Sequence, residues 1–381
     1  MEKESRILIS GAGVAGLAAA ILLGRKGFRP VVVERSPEVR AEGYLISLSH
    51  RAHQAAETLG LLPALEARRI GITASSYHDR TGRTLLALDY ERLFRGLRIV
   101  QISRDDLEAV LYEAAKDLVE IRCGVSATRI AQKESRVQVA FSDGRAEEFD
   151  AVIGADGLHS AVRELGFPPA TIRRHRLGLM AAAFPLPNFL GMERKFETHM
   201  ERDRYLVLFT TRTRGLGAVF VWASDVEAAP GPEDRLAWLR KAYAGSSELA
   251  GEVLRLAPEG RPIYMDSLCQ IEMDRWRAGR LAIVGDAAHC LTLFSGRGAS
   301  AAFTGATRLA EALVELPAEE AFRRYEAETR PVLSAIQTAT RHAAQWYVPR
   351  SRLRETLRNN AMRLLPNVVF QAYFRGKYSR G

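Results

Sequence analysis

Residues 6–35, RILISGAGVAGLAAAILLGRKGFRPVVVER, restrict what this chain can fold into more than any other stretch. RILIS is a short run of strand formers, PVVVER is a second, and LAAAILLGRKG between them reads as a helix closed by glycine. The turn Gly11-Ala12-Gly13-Val14-Ala15-Gly16 joins the first strand to that helix, and Glu34 ends the second strand eighteen residues past Gly16. Strand, glycine turn, helix, strand and acid in this order form the opening unit of a doubly wound sheet that holds a dinucleotide. Gly11 permits the tight turn, Gly13 lets a pyrophosphate approach the backbone, and Gly16 lets the helix lie close on the strand. The helix start presents unpaired amides and a positive dipole to the phosphates. Glu34 is placed to accept hydrogen bonds from the adenosine ribose. A glycine-rich turn without a nucleotide is the alternative.

The uncharged run at 7–23 has the length of a signal-peptide core, but glycine and alanine fill its first half and GRKG follows without a cleavage site. No other stretch approaches transmembrane length, and a cytoplasmic location is expected. Cys123, Cys269 and Cys290 are odd in number and match no metal or redox spacing. No metal is expected, and a reduced setting is. At 381 residues the chain has room for two domains or one composite. The net charge of +9 is concentrated in the tail. From 341 onward Arg341, Arg350, Arg352, Arg354, Arg358, Arg363, Arg375, Lys377 and Arg380 face only Glu355, a net +8 that leaves +1 for residues 1–340. No nucleic-acid module accompanies it, so no nucleic acid partner is expected.

The rest of the chain separates FAD from NAD as the dinucleotide. A simple dehydrogenase would continue in alternating strands and helices. Here a helix over about 50–66 is followed by strands across 72–100 with a turn at DRTGRT. Ser103 then caps a helix with Leu107, Val110, Leu111 and Ala114 on one face. Arg104 stands at the start of that helix, where its charge gains nothing from the dipole, which points to an anionic partner; a plain surface arginine is the alternative. AVIGADGLHSAVRELG (151–166) and RLAIVGDAAHCLTLFSGRGASAAFTGA (280–306) each repeat strand, glycine–aspartate turn and helix.

In this order the N-terminal glycine turn with its acid, GADGLHSAVR and GDAAH…GRGAS resemble the class A flavoprotein monooxygenases of the p-hydroxybenzoate hydroxylase fold. ERSPEVRAEGYLISL is further similar to the branch of tetracycline-inactivating and other natural-product hydroxylases. The resemblance implies an α/β chain: a discontinuous Rossmann-like FAD-binding domain, an inserted mostly antiparallel substrate sheet, and C-terminal helices. The expected boundaries are 1–71, 99–175 and 268–330 for the FAD-binding domain, 72–98 and 176–267 for the substrate domain, and 331–381 for the helical region. It implies FAD held by Gly11, Ala12, Gly13, Val14, Ala15 and Gly16, with Glu34 at the ribose and Arg35 on the adenosine side. Arg104 matches the arginine near the pyrophosphate and ribityl chain, Val125 the backbone near adenine, and Asp156 the aspartate that organises its turn. Asp286 matches the acid bonding a ribityl hydroxyl, against the alternative of a plain turn or cap. Gly296, Gly298 and Ala299 match the segment whose amides face the isoalloxazine pyrimidine end.

Four positions depart from the pattern. Thr292 and Leu293 stand where prolines are common, Arg297 where glutamine is frequent, and Ser47 where the tetracycline-type branch has an aspartate. The resemblance implies NAD(P)H as co-substrate, O2 as oxidant, oxygen transfer from a flavin peroxide, and no catalytic side-chain triad. His289 is expected to be a structural, hydrogen-bonding residue. RYLVLFTT and GLGAVFVWAS read as paired strands roofing the flavin, with Phe209, Phe220 and Trp222, together with Leu293, as a ring-accepting pocket; ordinary core is the alternative. The expected function is oxygen insertion into a hydrophobic aromatic or polycyclic molecule, by a monomer or homodimer. The rivals are a Baeyer–Villiger or oxidase-type flavoenzyme and a flavin-bearing scaffold. Leu353, Leu357, Ala361 and Leu364 repeat at helical spacing. They predict a cover helix packed on the domain junction, with a helix lying on a membrane surface as the alternative.

Overall fold

The computed structural model describes residues 1, 3–37, 44–260 and 263–379. Its centre is a six-stranded sheet in the order Arg277–Ala278, Leu281–Ile283, Ala151–Gly154, Arg6–Ser10, Arg29–Glu34, Glu120–Cys123. All its pairs are parallel except the short Arg277–Ala278 edge. Ile7, Leu8 and Ile9, with Val31, Val32 and Val33, are all buried, as strands covered on both faces require. Helix Val14–Arg25 lies along helix Gly298–Glu315, and the alanines of its middle allow that close approach. A three-stranded antiparallel meander, Ala127–Gln132, Val137–Phe141 and Ala146–Phe149, packs on one flank.

The second layer is a seven-stranded sheet in the order Tyr264–Met273, Ile172–Leu186, Leu216–Ala223, Arg204–Thr210, Lys195–Met200, Ala74–His78, Thr84–Asp89. Only the Lys195–Met200 and Ala74–His78 pair is parallel. Strands from before and after the 99–175 segment therefore complete one sheet. The boundaries expected at 175/176 and 267/268 fall inside the long strands Ile172–Leu186 and Tyr264–Met273, which pair from Ile172↔Met273 to Ala183↔Tyr264. Both strands stay within the seven-stranded sheet, and their ends at Ile172, Cys269, Ile271 and Met273 pack into the core of the central sheet, so no linker marks either boundary.

Three local expectations are corrected. The helix expected over 50–66 is two, His50–Thr58 and Leu62–Glu66, because Gly60 turns left-handed at φ +59° and Pro63 restarts the helix. The boundary at 330/331 falls inside the continuous helix Ala318–Tyr347, which runs through Pro331 at the loss of one backbone bond. The leucine face of the tail helix Arg352–Leu364 points outward: Leu353 is 70% exposed, Leu357 57% and Leu364 78%. Arg358 and Met362 take the inner face instead. The buried Arg358 guanidinium donates to the carbonyls of Tyr347 (3.1 Å) and Glu201 (3.4 Å). It thereby satisfies the end of helix Ala318–Tyr347, and that polar anchor sets the rotation of the tail helix. Among the described residues no helix is long and apolar enough to cross a membrane.

Candidate cofactor and active site

The turns after three adjacent parallel strands converge at one end of the central sheet, the place where open α/β sheets bind ligands. Gly11 has φ +108°, and its amide donates to Val33 O at 2.7 Å. A Cβ built on Gly11 would lie 2.4 Å from Ala155 O, and one on Gly16 would lie 1.9 Å from Gly11 O. Gly13 differs: at φ −83°, its Cβ would meet nothing within 4 Å. The backbone there opens onto free space, beside the first turn of helix Val14–Arg25. The Glu34 carboxylate accepts from the amides of Ala12 (3.0 Å) and Ser36 (2.9 Å), which pins the turn and leaves lone pairs unused. Val125 N donates to Glu34 O at 2.9 Å, and Arg35 is exposed beside it.

Asp156 closes the second turn, accepting from Val162 N (3.0 Å), Ser10 Oγ (3.4 Å) and Ser160 Oγ. The third turn begins at Gly285, φ +66°, where a Cβ would sit 3.1 Å from the Ala15 Cβ. Asp286 follows. It is open to solvent by area yet enclosed by chain, so it lines a recess rather than a convex surface. Burial raises its carboxyl pKa, and the Arg104 charge opposes that rise. Across the recess Arg104 donates to Glu108 Oε1 (2.9 Å) and Tyr44 Oη (3.1 Å), with its guanidinium 5.4 Å from the Tyr44 ring centre. The partner expected for Arg104 is thus first supplied internally by Glu108, one turn along the same helix. Burial works against the Arg104 cation, but Tyr44 and Glu108 outweigh it and hold it charged. Tyr264 approaches Tyr44 at 6.3 Å between ring centres.

The loop beyond Asp286 carries the departures noted in the sequence. Thr292 has φ +59° and ψ 166°, a conformation foreign to proline, whose ring fixes φ near −65°. A proline at 292 is incompatible with this loop. Gly296 is left-handed at φ +60°, and helix Gly298–Glu315 starts two residues on, with Ala299 in its first turn. The last helix, Asn367–Ser379, reaches back to this point. Lys377 Nζ donates to Phe294 O at 3.1 Å, Arg297 donates to Lys377 O, and the Lys377 ammonium lies 3.3 Å from where a Gly296 Cβ would stand. Burial, aided by Arg297, pushes the Lys377 pKa down to about 8. Tyr378 hydrogen-bonds Ser47. His289 does not fill the hydrogen-bonding role expected of it. Buried against Trp276 at 5.1 Å, it has no partner for either ring nitrogen, and burial pushes its pKa down to about 4.

The aromatics expected to form one pocket are divided between the two faces of the seven-stranded sheet. Phe209 pairs with Gly217 in the register and shares its face with Tyr205, Val207 and Val221, against Phe294 and Tyr347. Phe220 and Trp222 point to the opposite face, into a cluster with Leu239 and Tyr243. Strand alternation decides this: Phe209 and Phe220 cannot share a face when Leu206 is the partner of Phe220. Leu293 is exposed on the loop beyond Asp286. His78, Glu197 and His199 come within ligand distance of one another, but on the face of Leu206 and Leu208, away from the recess. Their imidazoles stack 4.8 Å apart with planes only 16° from parallel, so they aim at no common point.

Sequence reasoning missed Tyr44, Glu108, Tyr264, Lys377 and Tyr378. The first two had local signals, a tyrosine beside the Ser47 segment and an acid four residues after Arg104; the others join the recess only through the fold. Buried Arg163 was missed too, and it ties the second turn to the third by donating to Leu158 O (2.7 Å) and Ala287 O (3.0 Å).

These residues fit FAD: a bare backbone at Gly13 beside a helix start, a strand-end carboxylate at Glu34 with spare lone pairs, and an enclosed, solvent-reached acid at Asp286. A family profile described as an FAD binding domain matches residues 4–340. A flavin-dependent monooxygenase of Legionella longbeachae is 32% identical over 346 residues, covering 88% of each chain. The structure of tetracycline destructase Tet(51) superposes with a TM-score of 0.80 at 27% identity, covering 96% of this chain and 100% of that one. Klebsiella pneumoniae HpxO, solved with FAD and uric acid, superposes with a TM-score of 0.86 at 22% identity, covering 99% and 97%, and shows the shared fold. With the site and these likenesses together, the chain belongs to the FAD-dependent class A flavoprotein monooxygenases of the p-hydroxybenzoate hydroxylase fold.

Proposed function

We propose that this monooxygenase consumes NAD(P)H and O2 to insert one oxygen atom into a hydrophobic aromatic or polycyclic small molecule, in natural-product biosynthesis or modification. Bound FAD supplies the redox chemistry; the chain's residues bind, orient and exclude water. The observation that supports the substrate class is the aromatic cluster of Phe209, Tyr205, Phe294 and Tyr347, in which Phe294 belongs to the loop that follows Asp286.

In this reading the amides opening helix Val14–Arg25 and the bare Gly13 backbone receive the pyrophosphate. Glu34 holds the adenosine ribose, with Arg35 and the Val125 backbone on the adenine side. Asp286 would accept from a ribityl hydroxyl, and Arg104, ion-paired with Glu108, would present its remaining donors to the same chain. The Gly298–Ala299 helix start and the Gly296 turn would meet the pyrimidine end of the ring, where amide dipoles stabilise the negative charge that reduction places there. Among the residues placed here none forms a base–nucleophile pair, in keeping with chemistry lodged in the cofactor.

The test is direct. The purified protein should show a flavin absorbance spectrum, and a panel of aromatic polyketides and alkaloids should include members that stimulate NAD(P)H oxidation and gain one oxygen atom. A flavin-loaded protein whose NAD(P)H oxidation no panel member accelerates would overturn the substrate class while leaving the cofactor reading intact.

A further inference from the structure

The tail helix Arg352–Leu364 presents its apolar residues to solvent, and the pattern is ordered. At 100° per residue, Leu353, Leu357 and Leu364 fall within about 40° of one another on the outer face. Arg352 and Arg363 fall roughly 80–100° to one side of Leu353, and Arg354 about 100° to the other. The buried Arg358 and Met362 occupy the opposite side. The apolar run continues around the corner into the last helix through exposed Leu365, Val368, Val369 and Tyr373. Seven large apolar side chains thus lie open between 353 and 373, a concentration that soluble surfaces rarely carry without a partner.

This face is held in place. Arg358 fixes the rotation of the first helix, and Asn367 Nδ2 donates to Ala87 O on the edge strand Thr84–Asp89, 3.4 Å away. Arg352, Arg354 and Arg363 are exposed and form no ion pair among the described residues. A leucine stripe with arginines on both flanks is the arrangement of a helix lying in a lipid interface, with apolar side chains among the acyl chains and guanidiniums reaching anionic headgroups. A second copy of the chain is the poorer occupant, because a two-fold contact would set the arginines of one stripe against those of the other.

We propose that residues 352–373 dock this enzyme peripherally on an anionic lipid surface. The same last helix then links the lipid face to the active site. Nine residues, about 14 Å of helix, separate Val368 from Lys377 at the Phe294–Gly296 loop. A lipophilic substrate dissolved in the bilayer would be taken up beside the aromatic face that the proposed function assigns to it; the docking itself stands apart from that assignment.

The experiment is co-sedimentation of the FAD-loaded full chain with sucrose-filled vesicles of phosphatidylcholine, alone or mixed equally with phosphatidylglycerol, at low and high salt. Binding is expected to the mixed vesicles, to weaken with salt, and to be slight on phosphatidylcholine alone. Replacing the three arginines together (R352Q, R354Q, R363Q) should lower the partition coefficient on the order of a hundredfold. The set L353S, L357S, L364S should abolish binding at both salt concentrations, with flavin spectrum and melting temperature retained in both variants. If the leucine set misfolds, the arginine set, altered only at exposed charges, decides alone. Wild-type protein that ignores anionic vesicles, or an arginine variant that binds them unchanged, overturns the proposal. So does a concentration-dependent dimer, lost in the leucine variant, that forms without any vesicle binding.

Discussion

Gly13 and Gly16 sit three residues apart in one turn, yet the structure predicts opposite consequences for the same substitution. In Gly16→Ala the new methyl would stand 1.9 Å from Gly11 O and 3.3 Å from Ile9 Cγ2, whereas real Cβ contacts stay beyond 3.0 Å. Helix Val14–Arg25 must shift by about 1 Å or more off its strand, an overpacking cost of about 1–3 kcal/mol. The better helix propensity of alanine returns at most about 1 kcal/mol. Apoprotein stability should therefore fall. In Gly13→Ala the methyl meets nothing within 4 Å and φ −83° is ordinary for alanine. The gain of about 0.4–1 kcal/mol from a stiffer unfolded chain roughly offsets the loss of glycine at an N-cap. The apoprotein should melt within a degree or two of wild type. FAD affinity should nonetheless drop at least about tenfold, or about 1.4 kcal/mol, because the methyl occupies the phosphate approach. Melting by circular dichroism on apoprotein and FAD titration by flavin fluorescence separate the two effects. A Gly13→Ala protein that binds FAD like wild type, or one whose apoprotein is as unstable as Gly16→Ala, refutes the assignment of roles within the turn.

Three further outcomes are expected. Asp286→Ala should weaken FAD retention through gel filtration by tenfold or more, since a charge-assisted hydrogen bond is worth about 1.5–3 kcal/mol; a fully yellow variant of unchanged affinity counts against the ribityl role. His289 has its pKa depressed from 6.5 to about 4 by burial, so the unfolded chain takes up the proton first as pH falls. Its contribution, on the order of 3 kcal/mol, is present above pH 6.5 and lost as pH falls to about 4, and His289→Leu should flatten the melting-temperature profile across that window, whereas parallel profiles would exclude the histidine. Lys377→Gln removes an ammonium from the Phe294–Gly296 loop proposed to face the ring, and should weaken sulfite addition to bound FAD about tenfold, with Lys377→Arg restoring it; equal affinity in all three proteins would place the lysine away from the ring.

Much of the cofactor cleft was legible because its parts are local. Gly11, Gly13, Gly16 and Glu34 lie within one strand–turn–helix–strand unit, where spacing alone fixes who can meet whom. The Asp156 and Asp286 turns repeat that grammar after apolar strands. Less legible were the groups across the recess. Tyr264 comes from the far edge of the large sheet and Lys377 from the last helix, and neither has a neighbour in sequence that marks it. The expected grouping of Phe209 with Phe220 and Trp222 is divided for a definite reason: a strand's alternation shows which of its own residues share a face, but not how the partner strand is registered. One residue of register separates Phe220 from the face of Phe209.

The chain's sequence by itself determined the nucleotide-binding unit, the family and the cofactor, because glycine geometry and the dipole of a helix start act over a few residues. Tertiary structure alone decided the rotation of the tail. The apolar repeat at 353, 357, 361 and 364 gives an amphipathic helix either way, and hydrophobicity favours burying it. The guanidinium of Arg358, buried on the carbonyls of Tyr347 and Glu201, turns those leucines to the outside. A buried charge left without acceptors costs more than a few exposed leucines, and only the fold brings those two carbonyls within its reach.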